Sequence, residues 1–87
     1  MGYEAKAFIM HPVYMSEDGE IVQWFKEPGD PIAKGEPLAK LVIGTITNNL
    51  EVTVEGVIDR IVLENGGMAK QGDIVAYVRG EIEDVKL

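Results

Sequence analysis

Apolar residues in this chain alternate with polar ones in short runs, and no stretch keeps helical spacing over three turns. In "LEVTVEG", Leu50, Val52 and Val54 fall on one side while Glu51, Thr53 and Glu55 fall on the other. "EIVQWF" and "VIDRIVL" are rich in Ile, Val and aromatic residues, the composition of half-buried strands. "PLAKLV" and "DIVAYV" predict two further short strands. Between them, "EPGDPIAKG" and "ENGGMAKQG" carry Pro or Asn before Gly and a second Gly shortly after, which is turn chemistry. Gly or Pro interrupts every candidate helix. Short strands with regular turn signals predict an all-β sandwich or barrel.

The same elements recur. Gly19–Leu41 aligns without gaps on Gly56–Val78, an offset of 37 residues. Gly19, Gly29 and Gly35 meet Gly56, Gly66 and Gly72, and Ile21, Glu27 and Ala39 meet Ile58, Glu64 and Ala76. Such self-similarity predicts two small sheets related by an approximate two-fold axis. The predicted interior is Ile21, Trp24, Leu38, Leu41, Val52, Val54, Ile58, Ile61, Val75 and Val78. Residues 1–80 are expected to form the domain, and the charged end "EIEDVKL", residues 81–87, a tail.

Composition narrows the function. A chain of 87 residues has room for one core. The net charge of −7 opposes binding to nucleic acid or to an anionic membrane, since both repel it. There is no Cys, hence no disulfide, thiolate metal site or thiol nucleophile, and a cytoplasmic location is expected. The start shows no apolar signal-like region, and no uncharged run approaches the ~20 residues of a spanning helix.

Catalytic chemistry finds little support. His11 is the single histidine, without Cys or clustered acids to complete a metal site. The acids are dispersed, and none is paired in a way that serves general acid and base work. Ser16 lacks a partnered base. Gly66-Gly67 lacks the Lys-Ser/Thr and the following helix of a phosphate loop. Trp24, beside Phe25 on a strand, is read as core.

The unusual segment is "LVIGTITNNLEV", Leu41–Val52, which has no charge between Lys40 and Glu51. Two hairpin tips are open to it, Gly44-Thr45 and Asn48-Asn49. With the tip at the former, Val42, Ile43 and Ile46 form an apolar patch of the kind that marks an interface. With the tip at the latter, Ile43 and Ile46 pack inward.

Over roughly Phe8 to Val78 the chain resembles the lipoyl/biotinyl carrier domains, and most of all the lipoyl domains of 2-oxo acid dehydrogenase acyltransferase components. The resemblance rests on Gly19, Ile21, Trp24, Gly29-Asp30, Lys34-Gly35-Glu36, Leu38-Ala39, Gly56 and "QGDIVAYV". It implies a barrel-sandwich hybrid, a flattened barrel of two four-stranded antiparallel sheets. It also implies lipoate or biotin amide-linked to a lysine at a hairpin tip, eleven residues before the glycine matched by Gly56. That position is Thr45, flanked by Gly44 and Ile46. A threonine hydroxyl is a poorer nucleophile than an amine and gives a labile ester. The nearest lysines, Lys34 and Lys40, are not expected at a tip. "HPVYMSEDGE" resembles a recognition loop of the family but is about two residues shorter. The resemblance therefore predicts a carrier fold without its cofactor, a non-enzymatic module that binds a protein partner, itself or components of a 2-oxo acid dehydrogenase complex. The alternative is an accessory or fragment lipoyl domain of such a system, carrying acyl intermediates only if modified elsewhere.

Overall fold

The computed structural model describes the backbone of residues 4–86 and the side chains of residues 8–80. Eight strands account for its regular structure: β1 (Glu4–Tyr14), β2 (Gly19–Trp24), β3 (Pro31–Ile32), β4 (Pro37–Ile43), β5 (Ile46–Glu51), β6 (Gly56–Ile61), β7 (Met68–Ala69) and β8 (Ile74–Lys86). They form two four-stranded sheets, ordered β1-β8-β6-β3 and β5-β4-β2-β7, with every pairing antiparallel. The expected pair of four-stranded antiparallel sheets is present. The ladders do not close into a barrel, because each sheet ends on a strand of only two residues, β3 or β7.

Residues 37 apart occupy equivalent places in the two sheets. β2, β3 and the start of β4 map onto β6, β7 and the start of β8, and the pairs of the β4–β5 hairpin map onto the β8–β1 ribbon. Leu41↔Asn48 corresponds to Val78↔His11, and Ile43↔Ile46 to Gly80↔Ile9. Loop hydrogen bonds repeat in the same way. The Gly35 amide donates to the Val52 carbonyl at 2.8 Å, and the Gly72 amide donates to that of Met15 at 2.8 Å. Gly29 donates to Ile58, and Gly66 to Ile21. These four glycines all have positive φ, between 81° and 94°, where a side chain would strain the backbone. The glycine spacing legible in the sequence is the spacing of these left-handed turns.

The core follows the same relation. One buried cluster contains Met15, Ile21, Leu41, Ala69 and Val75; the other contains their equivalents Val52, Ile58, Val78, Ile32 and Leu38. Ala39 and Leu50 complete the first cluster, and Val13 and Trp24 pack against both.

Three expected core residues, Trp24, Val54 and Ile61, are only half-buried. Trp24 lies at the rim, where its indole N–H donates to the Leu63 carbonyl at 2.7 Å; a fully interior indole would have to find that partner inside. Met15, Ile32, Ala39, Leu50, Ala69 and Ala76 are buried although they were not in the predicted interior. Alanines carry a weak periodic signal, Met15 sits in turn-like sequence, and Ile32 belongs to a strand too short to show alternation.

The expected tail is also different. β8 continues through it to Lys86, paired with β1 from Glu4↔Lys86 onward. The N-terminal residues supply the ladder partners that a charged C-terminal segment lacks when read alone.

Candidate functional site at the β4–β5 hairpin

β4 and β5 pair from Pro37↔Glu51 to Ile43↔Ile46, which leaves Gly44 and Thr45 as a two-residue turn. Gly44 has φ +64°, and among the described residues none other than glycine has positive φ. Positive φ at the first central position only is the pattern of a type II′ turn, whose twist matches that of paired strands. A Cβ on Gly44 would meet nothing within 4 Å, so its role is conformational and not a matter of space. Of the two tips left open by the sequence, Gly44-Thr45 is the one formed. Asn48 and Asn49 lie within β5, opposite Leu41 and Lys40.

The apolar patch Val42, Ile43, Ile46 divides. Direct partners share a sheet face, so Ile43 and Ile46 point together and Val42 points with Thr47 to the other side. Ile43 is half-buried and packs on the first core cluster, while Ile46 is 64% exposed. Val42 is half-buried on the outer face. There it lines, with Glu20, Gly44, Met68 and Lys70, a groove of about 440 Å³. Met68, 71% exposed, is the apolar lip of this groove; its signal in "GGMAKQG" was hidden inside turn chemistry. The three side chains expected to act together are thus split between a core contact, a groove wall and a free tip.

The loop between β1 and β2 is held firmly. Met15 is buried, its amide donates to the Asp73 carbonyl at 2.9 Å, and an Asp18 carboxylate oxygen accepts the Gln71 amide at 2.8 Å. Asp18 and Gly19 border the same groove, so loop and hairpin present one surface. Ser16 is exposed in this loop.

The groups available at the turn are the Thr45 hydroxyl and backbone amides. An amide-linked prosthetic group needs a primary amine, which neither turn residue supplies. Lys40 is exposed on β4 opposite Asn49, and Lys34 is exposed in the loop between β3 and β4. Lys34 lines a different cleft, with His11, Thr53 and Glu55. His11 is half-buried on β1 opposite Val78. Among the described residues no group of three His, Cys, Asp or Glu is placed to hold a metal ion. Gly66-Gly67 forms the turn before β7.

Comparison with known proteins adds a lineage to this geometry. Residues 11–78 match the biotin/lipoyl family model described as "Biotin-requiring enzyme". The chain is 33% identical over 63 residues to the dihydrolipoyllysine-residue succinyltransferase component of the 2-oxoglutarate dehydrogenase complex of Bacillus subtilis, covering 70% of this chain and 15% of that protein. It is 31% identical over 70 residues to acetyltransferase component 2 of the mitochondrial pyruvate dehydrogenase complex of Arabidopsis thaliana, covering 79% and 13%. A Staphylococcus aureus acetyltransferase component of the pyruvate dehydrogenase complex gives 30% over 61 residues, covering 70% and 14%. The chain spans 15% or less of the length of these three relatives.

Proposed function

This chain belongs to the biotin/lipoyl family as a lipoyl-type domain of the 2-oxo acid dehydrogenase acyltransferase kind, and from that premise we propose that it works by surface contact and not by carrying a tethered cofactor. The observation that carries this reading is Thr45 at the turn of the β4–β5 hairpin, with Gly44 before it and exposed Ile46 after it. A ligase that transfers an activated acyl group to an amine meets a hydroxyl at this apex. On this reading the domain is an interaction or assembly module and does not itself catalyse a reaction. Ile46 and the Val42–Met68 groove form the contact surface, for a protein partner or a second copy of the chain.

The test is intact-mass spectrometry of the chain co-expressed with lipoate ligase and, separately, with biotin ligase. The unmodified mass is expected in both; an adduct on any residue overturns the reading. The names of the relatives favour a second element, that the partner is a component of a 2-oxo acid dehydrogenase complex. Co-purification with such a complex, lost in an Ile46→Asp variant, supports it; absence of the complex from the purified fraction counts against it.

A further inference from the structure

The second surface of interest lies on the other sheet. Val78 is buried, so its strand neighbours Tyr77 and Arg79 point outward from β8. Cross-strand register extends them into two rows. Pro31, Val57, Arg79 and Met10 run across all four strands of the sheet, and Arg60, Tyr77 and Pro12 run beside them. The next row toward the termini pairs Phe8 with Glu81.

Both arginines of the chain stand on this face. The Arg60 guanidinium lies over the Tyr77 ring, 4.7 Å from its centroid, and that of Arg79 lies over the Phe8 ring at 5.2 Å. Stacking holds each planar group by its face, and the N–H edge of a guanidinium can grip a carboxylate with two hydrogen bonds. Phe8 is 53% and Met10 48% exposed. Two acids border these rows: Asp59 occupies the β6 bulge beside Arg60, and Glu81 is the ladder partner of Phe8. Arg, Met and aromatic residues are enriched at interface centres, where anchoring side chains concentrate. The equivalent rows of the other sheet differ: Glu20 and Lys40 stand at the places of Val57 and Tyr77.

We propose that this face docks an acidic, extended segment of another protein, with Arg60 and Arg79 each holding one of its carboxylates. Arg60 and Arg79 are diagonal neighbours on adjacent strands, a Cα separation of about 7–8 Å. Acids at alternate positions of an extended segment are about 7 Å apart and match that spacing. The apolar residues of the rows receive side chains of the same segment. A second copy packed face to face through a two-fold axis brings guanidinium against guanidinium, which opposes that arrangement. An acidic segment meets the same net repulsion from the −7 chain as nucleic acid or an anionic membrane, and is distinguished from them by apolar side chains that match the rows.

The experiment is titration of the isotope-labelled 87-residue chain with a synthetic peptide alternating glutamate with leucine or phenylalanine, followed by amide NMR. Shifts confined to β1, β6 and β8 are expected, with affinity falling as salt is raised. R60Q and R79Q are each expected to weaken binding about tenfold, and R60K and R79K by less, since lysine keeps charge but not the fork. Both sites are exposed, and an unchanged amide spectrum of each free variant shows that the fold persists. No shifts, shifts on the opposite sheet, or equal affinity for the arginine variants overturn the proposal. So does tighter binding of duplex DNA or phosphatidylserine vesicles at the same residues, or concentration-dependent shifts of the face without peptide. None of these outcomes depends on Thr45, so the reading of the hairpin stands or falls separately.

Discussion

Ile43 and Ile46 are direct cross-strand partners over the Gly44-Thr45 turn, yet Ile43 packs on the core and Ile46 is 64% exposed. The strand pair overhangs the sandwich, so a single step along the ladder separates a structural side chain from one free to meet a partner. The functional expectations for this domain follow from where that boundary falls.

Substituting Asp on the two sides of the boundary separates the roles. Ile46→Asp is expected to change stability by no more than about 0.5 kcal/mol, as for an exposed site. Ile43→Asp is expected to cost about 2 kcal/mol, from lost apolar burial. Urea unfolding measures both. Sedimentation of wild type and Ile46→Asp over a range of concentrations then tests self-association without disturbing the core; identical monomers throughout restrict the contact surface to other proteins.

Thr45→Lys places an amine at the apex of the existing turn. Because Thr45 does not have positive φ, lysine fits its backbone without strain. Co-expression with lipoate ligase is expected to add one lipoyl group to this variant, seen as a mass increase located by peptide mapping to residue 45. A variant that stays unmodified shows that the ligase needs more than the amine, with Gly44 and Ile46 as the next positions to change.

Glycines are needed for two different reasons. Gly44→Ala enters open space but must hold a left-handed backbone, at about 1–2 kcal/mol. Gly56→Ala has ordinary φ but drives a Cβ into the Arg79 carbonyl oxygen of the neighbouring strand. That clash between backbones is expected to cost about 3 kcal/mol, at the upper end of overpacking. Denaturant midpoints should rank wild type, Gly44→Ala and Gly56→Ala in falling order.

Equivalent core sites offer a test of the two-sheet relation. Ile21 and Ile58 are 0% and 1% exposed and sit 37 residues apart, one in each buried cluster. Ile→Val at either is expected to cost about 1 kcal/mol, and the two costs should agree within about 0.5 kcal/mol. A large difference in unfolding free energy shows that the clusters are packed unequally despite their common register.

Trp24 is the only tryptophan, so its own fluorescence reports unfolding. Trp24→Phe removes the hydrogen bond to the Leu63 carbonyl, a loss of about 1 kcal/mol beyond the volume change. Amide exchange should then speed locally around Leu63–Asn65, where the Trp24 amide also donates to the Asn65 side chain at 2.8 Å.

Much of this architecture was readable beforehand, and the parts that were not have common causes. Gly29, Gly35, Gly66 and Gly72 announced their turns because left-handed backbone restricts the residue type. Ile21, Leu38, Leu41, Val52, Ile58, Val75 and Val78 were identifiable as core because large apolar residues at alternate positions have few other uses. Ala39, Ala69 and Ala76 escaped because alanine suits either side of a sheet. Of the tail assigned to residues 81–87, residues 81–86 are strand, because their ladder partners in β1 lie at the far end of the chain. At the candidate site, the residue at the apex was countable but the apex itself was not: "LVIGTITNNLEV" accommodates two turns of similar chemistry.

By itself, then, the order of residues determined an all-strand chain, its two-fold internal repeat, the left-handed turns and the absence of an amine at position 45. Those properties are local, fixed by which side chains a backbone conformation tolerates and by alternation at a period of two. Tertiary structure alone decided which turn forms, which of Val42, Ile43 and Ile46 remains free, and that residues as distant as Phe8, Arg60 and Arg79 share one face. Such outcomes depend on strand register, and register is set by how two sheets bury their apolar faces together.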